Sequence, residues 1–143
     1  MYPGIHARTR PDHPALIMTG SGEIVTYAQL EDRSLRVANW LRNSGLKRGD
    51  VVALISDNSS WVFDVYWATQ RAGLYFVPLN YRLNPTEIDY VLENSGASAL
   101  FVGRGGRNAA AALAHHPKLI RRVFSGSDLP GFETYSDVLQ QSN

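Results

Sequence analysis

Three helix-like stretches between Thr26 and Gly96 each end at a glycine, and each glycine is followed by a short apolar run. The junctions read Asn43-Ser44-Gly45-Leu46-Lys47-Arg48-Gly49-Asp50 before residues 51–55, Arg71-Ala72-Gly73 before 74–78, and Asn94-Ser95-Gly96 before 97–102. Glycine suits the position after a helix because it takes a positive φ without steric cost. Parallel strands need crossovers of a dozen or more residues, usually helical, and these spacings provide them. The pattern predicts an α/β fold: an open, mostly parallel sheet with flanking helices and right-handed crossovers. A length of 143 residues fits one domain with a real core.

The rest of the chain fits that frame. Residues 1–14 hold three prolines and read as a leading segment with a short helix before Arg10. Turn residues Thr19-Gly20-Ser21-Gly22-Glu23 between two extended runs predict a β-hairpin over 15–25. Thr26-Tyr27-Ala28-Gln29 matches a capping box, and Leu30, Val37, Ala38 and Leu41 share one face of the helix that follows. Residues 61–72 are apolar almost all round, which suits a helix buried between layers or under a second domain. Asp57-Asn58-Ser59-Ser60 offers its N-cap candidates. Asn84-Pro85-Thr86-Glu87 is a helix start, with cap, proline at N1 and acid at N3, and Ile88, Val91 and Leu92 form its apolar face. Beyond it we expect a strand over 99–102, a flexible loop over 103–107, an alanine-rich helix capped by Asn108 and running to about His116, a strand over 119–124 and a short helix over 136–140. By organisation, residues 1–25 are the leading segment and hairpin, 26–124 a βα platform, and 125–143 a loop and short helix.

Composition removes several function classes. There is no cysteine, so disulfides, thiolate nucleophiles and cysteine–zinc sites are excluded. A formal net charge of +1 gives no electrostatic case for nucleic acid. No apolar stretch approaches the length of a membrane span, and the N-terminus has no apolar signal-peptide core. A cytoplasmic protein is the expectation, with peripheral membrane contact left open. His6, His13, His115 and His116 have no metal-favouring spacing, and the last two suit a helix C-terminus.

Two polar clusters stand out. Asn80-Tyr81-Arg82 lies just past the C-terminal end of a predicted strand, where open parallel sheets bind ligands; the plainer alternative is a loop held by the Asn side chain. Gly103-Arg104-Gly105-Gly106-Arg107 follows a strand and precedes a helix, but it lacks the spacing of dinucleotide and P-loop motifs. It reads either as a solvated loop or as a segment whose Arg104 or Arg107 grips a phosphate. Asp64, inside the apolar helix, is either a buried acid with a raised pKa or, the simpler reading, a residue that faces solvent or pairs with an arginine. No serine nucleophile elbow is present, and no residue of the chain is assigned a catalytic role.

Residues 24–30 (Ile-Val-Thr-Tyr-Ala-Gln-Leu), 45–54 (Gly-Leu-Lys-Arg-Gly-Asp-Val-Val-Ala-Leu) and 72–83 (Ala-Gly-Leu-Tyr-Phe-Val-Pro-Leu-Asn-Tyr-Arg-Leu), in this order, resemble the N-terminal part of the AMP-forming acyl-CoA synthetases, members of the adenylate-forming superfamily that includes luciferase. The opening Arg10-Pro11-Asp12-His13-Pro14-Ala15-Leu16 and Glu93-Asn94-Ser95-Gly96-Ala97 are similar to the family too. The resemblance covers about residues 5–103 well and the remainder loosely. It implies a two-step reaction: a carboxylate attacks the α-phosphate of ATP to give an acyl-adenylate and pyrophosphate, and coenzyme A then displaces AMP. Mg2+ and cationic side chains would offset the phosphate charge. The wording around Pro78 looks most like ligases of fatty or aryl acids. By the same resemblance Asn80, Tyr81 and Arg82 border the channel for the pantetheine arm, and Arg104 and Arg107 stand where some relatives meet the 3′-phosphate of coenzyme A. The family's Ser/Thr/Gly-rich phosphate loop, adenine segment, ribose-binding aspartate and C-terminal lysine have no counterpart in residues 1–143. The chain therefore reads as an N-terminal fragment, inactive in adenylation by itself, whose partner is the remainder of the same polypeptide. Uncovered apolar surface would then favour homo-oligomers. The alternative is a stand-alone interaction or binding module.

Overall fold

The computed structural model describes residues 2–113 and 116–141. Helix α1 (Pro3–Thr9) leads into a two-stranded antiparallel hairpin of β1 (Pro14–Ile17) and β2 (Ile24–Thr26). Then follow α2 (Tyr27–Asn43), β3 (Val51–Ile55), α3 (Trp61–Ala72), β4 (Tyr75–Leu79), α4 (Pro85–Ser95) and β5 (Ala99–Val102). A short 3-10 turn (Arg104–Gly106) precedes α5 (Arg107–Ala112), β6 (Arg121–Phe124), β7 (Glu133–Thr134) and α6 (Tyr135–Gln141). Strands β3 to β7 form one sheet in the order β4-β3-β5-β6-β7, parallel throughout.

Local sequence explains the helix boundaries. Thr26 Oγ1 accepts from the Gln29 N–H while Gln29 Oε1 accepts from the Thr26 N–H, so the capping box forms at both bonds. Asn84 and Glu87 repeat the device at α4. Gly73 and Gly96 close α3 and α4 with φ of 71° and 66°, the left-handed region that a side chain would disfavour. Helix α3 begins differently. Its N-cap Ser60 has helical dihedrals and makes no side-chain cap, because Ser60 Oγ donates instead to Glu23 Oε1 of the hairpin at 2.9 Å.

Several boundaries differ from the sequence reading. The second of the three apolar runs pairs over 75–79 rather than 74–78, since Leu74 is spent in the turn that closes α3, its N–H bonded to the Thr69 carbonyl. The 103–107 segment is not a loose loop: Gly106 donates to the Gly103 carbonyl, and α5 starts at Arg107 with Gly106, not Asn108, at its N-cap. Strand β7 has two residues and carries no apolar run that would have revealed it.

The sheet is covered on both faces. On one side α2, α3 and α6 pack Val37, Leu41, Trp61, Val65 and Val138 against Val52, Leu54 and Phe101. On the other, α4 and α5 pack Ile88, Leu92 and Ala110 against Ala53, Ile55, Leu100 and Phe124. This two-sided burial explains why β3 and β5 read as continuous apolar runs rather than alternating ones. Among the described residues no helix is long and apolar enough to cross a membrane.

Candidate functional site

The strand order has a consequence for ligand binding. From β3 the chain passes through α3 to β4 on one side; from β5 it passes through α5 to β6 on the other. The connections leaving the C-terminal ends of β3 and β5 therefore diverge over opposite faces. Such a switch point opens a crevice where doubly wound sheets of this 2-1-3-4-5 order bind their ligands.

A cavity of about 260 Å³ lies at that end of the sheet. Asp57 and Ser59 line it from the segment after β3, Arg104 from the turn after β5, and Ser125 from the residue after β6. Trp61 of α3 and Tyr135 of α6 complete the wall. The turns approach closely: a Cβ at Gly103 would lie 2.4 Å from Ser56 Oγ, and one at Gly105 would lie 3.2 Å from the Tyr81 ring. At Gly103 a side chain would collide with Ser56, whereas at Gly105 the Tyr81 ring would have to give only by a few tenths of an ångström; neither φ is positive, so space rather than dihedral freedom is the constraint. The N–H groups of Gly103 and Gly106 bond the carbonyls of Ile55 and Gly103. Both are thus withdrawn from any phosphate-cradling role, and the cationic group at the cavity is the exposed Arg104 side chain.

The residues singled out from sequence fall into distinct places. Arg104 lines the cavity. Arg107 does not; its guanidinium lies 5.4 Å from the Phe124 ring centre, and Nη2 donates to the Asp128 carbonyl at 3.4 Å. Asn80 Oδ1 accepts from the Arg82 N–H at 2.9 Å, so this side chain holds its own loop. Arg82 stacks on Tyr81, 5.6 Å from the ring centre. The Tyr81 ring lies against the neighbouring turn at Gly105. Asp57, Ser59, Ser125 and Tyr135 were not singled out as site residues. The signal available for the first two was their place just after an apolar strand, the argument that favoured Asn80.

Asp64 is fully buried and pairs with an arginine. Its Oδ2 lies 3.2 Å from Arg33 Nε of α2 and accepts a 2.8 Å hydrogen bond from the Tyr135 hydroxyl of α6. Burial raises its pKa to about 7 against the opposing pull of Arg33 and Tyr135. Both halves of the sequence alternative thus hold at once, since the acid is buried and it has its arginine. Burial, then the Asp64 charge, pushes the Tyr135 hydroxyl well above its ordinary pKa. His115 lies outside the described residues. His116 is buried past the end of α5, with Nε2 3.2 Å from Asp89 Oδ1 of α4, so it serves as a cross-link rather than a helix-end charge. Among the described residues no group of three His, Asp or Glu side chains could hold a metal ion.

A second, open groove of about 690 Å³ runs between the hairpin tip (residues 17–21), the 56–59 turn, Val62 and Phe63 of α3, and the end of β4. It shares Asp57 and Ser59 with the lining of the first cavity.

A doubly wound α/β/α sandwich with its crevice at the switch point defines a ligand-binding class, and comparison narrows it. The family model described as AMP-binding enzyme matches residues 5–140, and the chain belongs to that family. It is 40% identical over 113 residues to a feruloyl-CoA synthase of an Amycolatopsis species, covering 79% of this chain and 23% of that protein. It is 37% identical over 99 residues to a long-chain-fatty-acid–CoA ligase of Salmonella typhimurium, covering 68% and 17%. Among solved structures, a Mycobacterium tuberculosis fatty acyl CoA synthetase superposes with a TM-score of 0.83 over 98% of this chain and 27% of that one, at 22% identity, and shares the fold. The chain thus spans about a quarter or less of the length of these relatives.

Proposed function

We propose that the chain is the N-terminal part of an ATP-dependent acyl-CoA synthetase that activates a fatty or aryl carboxylic acid and passes it to coenzyme A. The observation that supports this most is the family match over residues 5–140 together with an open crevice at the switch point of the sheet. On this reading residues 1–25 lead into the platform, 26–124 form it, and 125–143 close it toward the remainder of the polypeptide. On the same reading the groups that bind the ATP phosphates and Mg2+ lie in that remainder, and the chain alone would not adenylate. Coenzyme A fits this chain better. Arg104 lines the cavity together with Ser59 and Ser125, side-chain types that suit a phosphate monoester, although the Ser59 hydroxyl itself donates to Asp57 Oδ1 at 3.4 Å. The Asp57 carboxylate in the same wall works against an anion, so the contact would be weak without further groups. Tyr81, with Asn80 and Arg82 fixing its loop, would flank the pantetheine arm, and Arg107 would act by holding the turn over Phe124.

The test is adenosine 3′,5′-bisphosphate binding by calorimetry, on the 143-residue chain and on the product of the whole reading frame. Saturable binding that Arg104→Ala weakens several-fold, with acid-dependent pyrophosphate release only from the longer protein, is expected. Release by the short chain alone, or binding indifferent to Arg104, overturns the corresponding part of the reading. A reading frame that ends at residue 143 would turn the assignment to an interaction module.

A further inference from the structure

The one fully buried acid among the described residues is attached to the wall of the candidate site. Tyr135 lines the switch-point cavity with Trp61, its ring 5.3 Å from the Trp61 ring, and its hydroxyl reaches inward to Asp64. We propose that Asp64 is a positioning residue for that cavity, holding the Tyr135 wall through a hydrogen bond whose strength follows the protonation of the Asp64 carboxyl group. The inference concerns the cavity assigned above to the coenzyme phosphate, and it rests on that reading only for its functional consequence.

Three elements meet at Asp64. Arg33 approaches from α2, Tyr135 from α6, and Glu23 acts from the foot of β2, where it also accepts from Ser60 at the start of α3. Asp64 Oδ1 and Arg33 Nη2 are buried with no hydrogen-bond partner among the described residues. The cluster is therefore under-satisfied, which is costly in a low-dielectric interior and leaves the Tyr135 bond, beside the Arg33 ion pair, as the one side-chain hydrogen bond of the Asp64 carboxyl group among the described residues. When ionised, the carboxylate accepts a charge-assisted bond from the Tyr135 hydroxyl and attracts Arg33. When protonated, it is a weaker acceptor and loses its attraction for Arg33, which frees the Tyr135 ring. Desolvation raises the carboxyl pKa to about 7, so the change falls within the range where an enzyme of this kind would work. Tyr135 also begins the helix that Arg36 holds, through its donation to the Leu139 carbonyl at 3.2 Å. Loosening Tyr135 thus affects one end of α6 and leaves the other anchored.

The experiment is carbon-13 NMR of the chain labelled at Asp carboxyl and Tyr ring ζ carbons, titrated from pH 5 to pH 9. The expected result is one Asp resonance with a midpoint near pH 7, absent in Asp64→Asn, and a Tyr135 resonance, assigned through Tyr135→Phe, that moves with the same midpoint. Tyr135→Phe keeps the ring and removes the bond to the carboxylate, so it should shift the Asp64 midpoint to higher pH. A Tyr135 resonance flat through neutrality, or an Asp64 midpoint unmoved by Tyr135→Phe, overturns the proposal. For the functional arm, the Kd of adenosine 3′,5′-bisphosphate should rise several-fold from pH 8 to pH 6 in the wild type relative to Asp64→Asn. If that probe binds neither protein, the coenzyme reading fails while the NMR arm still decides the coupling.

Discussion

Asp64 illustrates how one residue can serve a site while weakening the fold. Placing a carboxylate where no solvent reaches costs free energy, and the single arginine and single hydroxyl around it do not fully offset that cost. Its folded-state pKa is raised, from 3.8 to about 7, so the folded chain holds the proton more tightly than the unfolded chain. The sign follows: the contribution to stability is fully present below about pH 4 and is lost as pH rises toward 7. Asp64→Asn removes this dependence while keeping the side-chain size. Urea unfolding of the two proteins should show the variant gaining on the wild type between pH 4 and pH 7, by an amount on the order of a few kcal/mol. A difference that stays constant across that range would show that Asp64 is ionised throughout. The sequence placed Asp64 within the apolar helix but could not decide between its two readings, because Arg33 and Tyr135 lie 31 and 71 residues away and only the packing of α2 and α6 on α3 brings them together.

At the scale of elements, the chain states its boundaries where local chemistry is sufficient and hides them where tertiary pairing decides. Strand β3, helix α3 and strand β5 carry their limits in apolar runs and closing glycines, and the capping boxes of α2 and α4 were complete in the sequence. Strand β7 and the short turn before α5 were not, because two ladder residues and a three-residue turn owe their form to neighbours. The same reasoning separates site residues. The position of Asn80 past a strand was legible, whereas Ser125 and Tyr135 reach the cavity only through the placement of β6 and α6. The α4 box gives a direct test of local control. Asn84→Ala leaves the Glu87 N–H without its acceptor and should cost about 1 kcal/mol in urea unfolding. Glu87→Gln retains a carbonyl oxygen for the reciprocal bond and should cost much less. Equal losses from both would mean that the Glu87 charge at the helix N-terminus, rather than the paired bonds, sets the boundary.

For the whole molecule, the order β4-β3-β5-β6-β7 leaves β4 at an edge, and how that edge is treated bears on self-association. The Tyr75 N–H donates to the Asp50 carbonyl at 2.9 Å, so the alternating backbone turns Tyr75, Val77 and Leu79 toward β3 and turns Phe76 and Pro78 outward. Pro78 thus stands at an outward position of the edge and offers no N–H to an incoming strand. The protection has a purpose, because apolar side chains surround that edge: Tyr75 is 67% exposed, and Phe63 and Tyr66 stand out from the adjacent α3 face. This surface is where the isolated chain should bind a hydrophobic dye, as expected of a platform that spans a quarter or less of its relatives. Strand pairing is a separate matter, governed by the backbone donors. Pro78→Val preserves an apolar, β-compatible residue and restores the missing donor, completing an outward N–H pair with Phe76. Light scattering coupled to gel filtration should then show larger species in the variant at concentrations where the wild type is unchanged. Dye binding should barely differ, since no aromatic side chain has moved. If the variant keeps the wild-type size, the aromatic surface rather than the strand edge governs association, and Pro78 serves only the turn into the Asn80 loop.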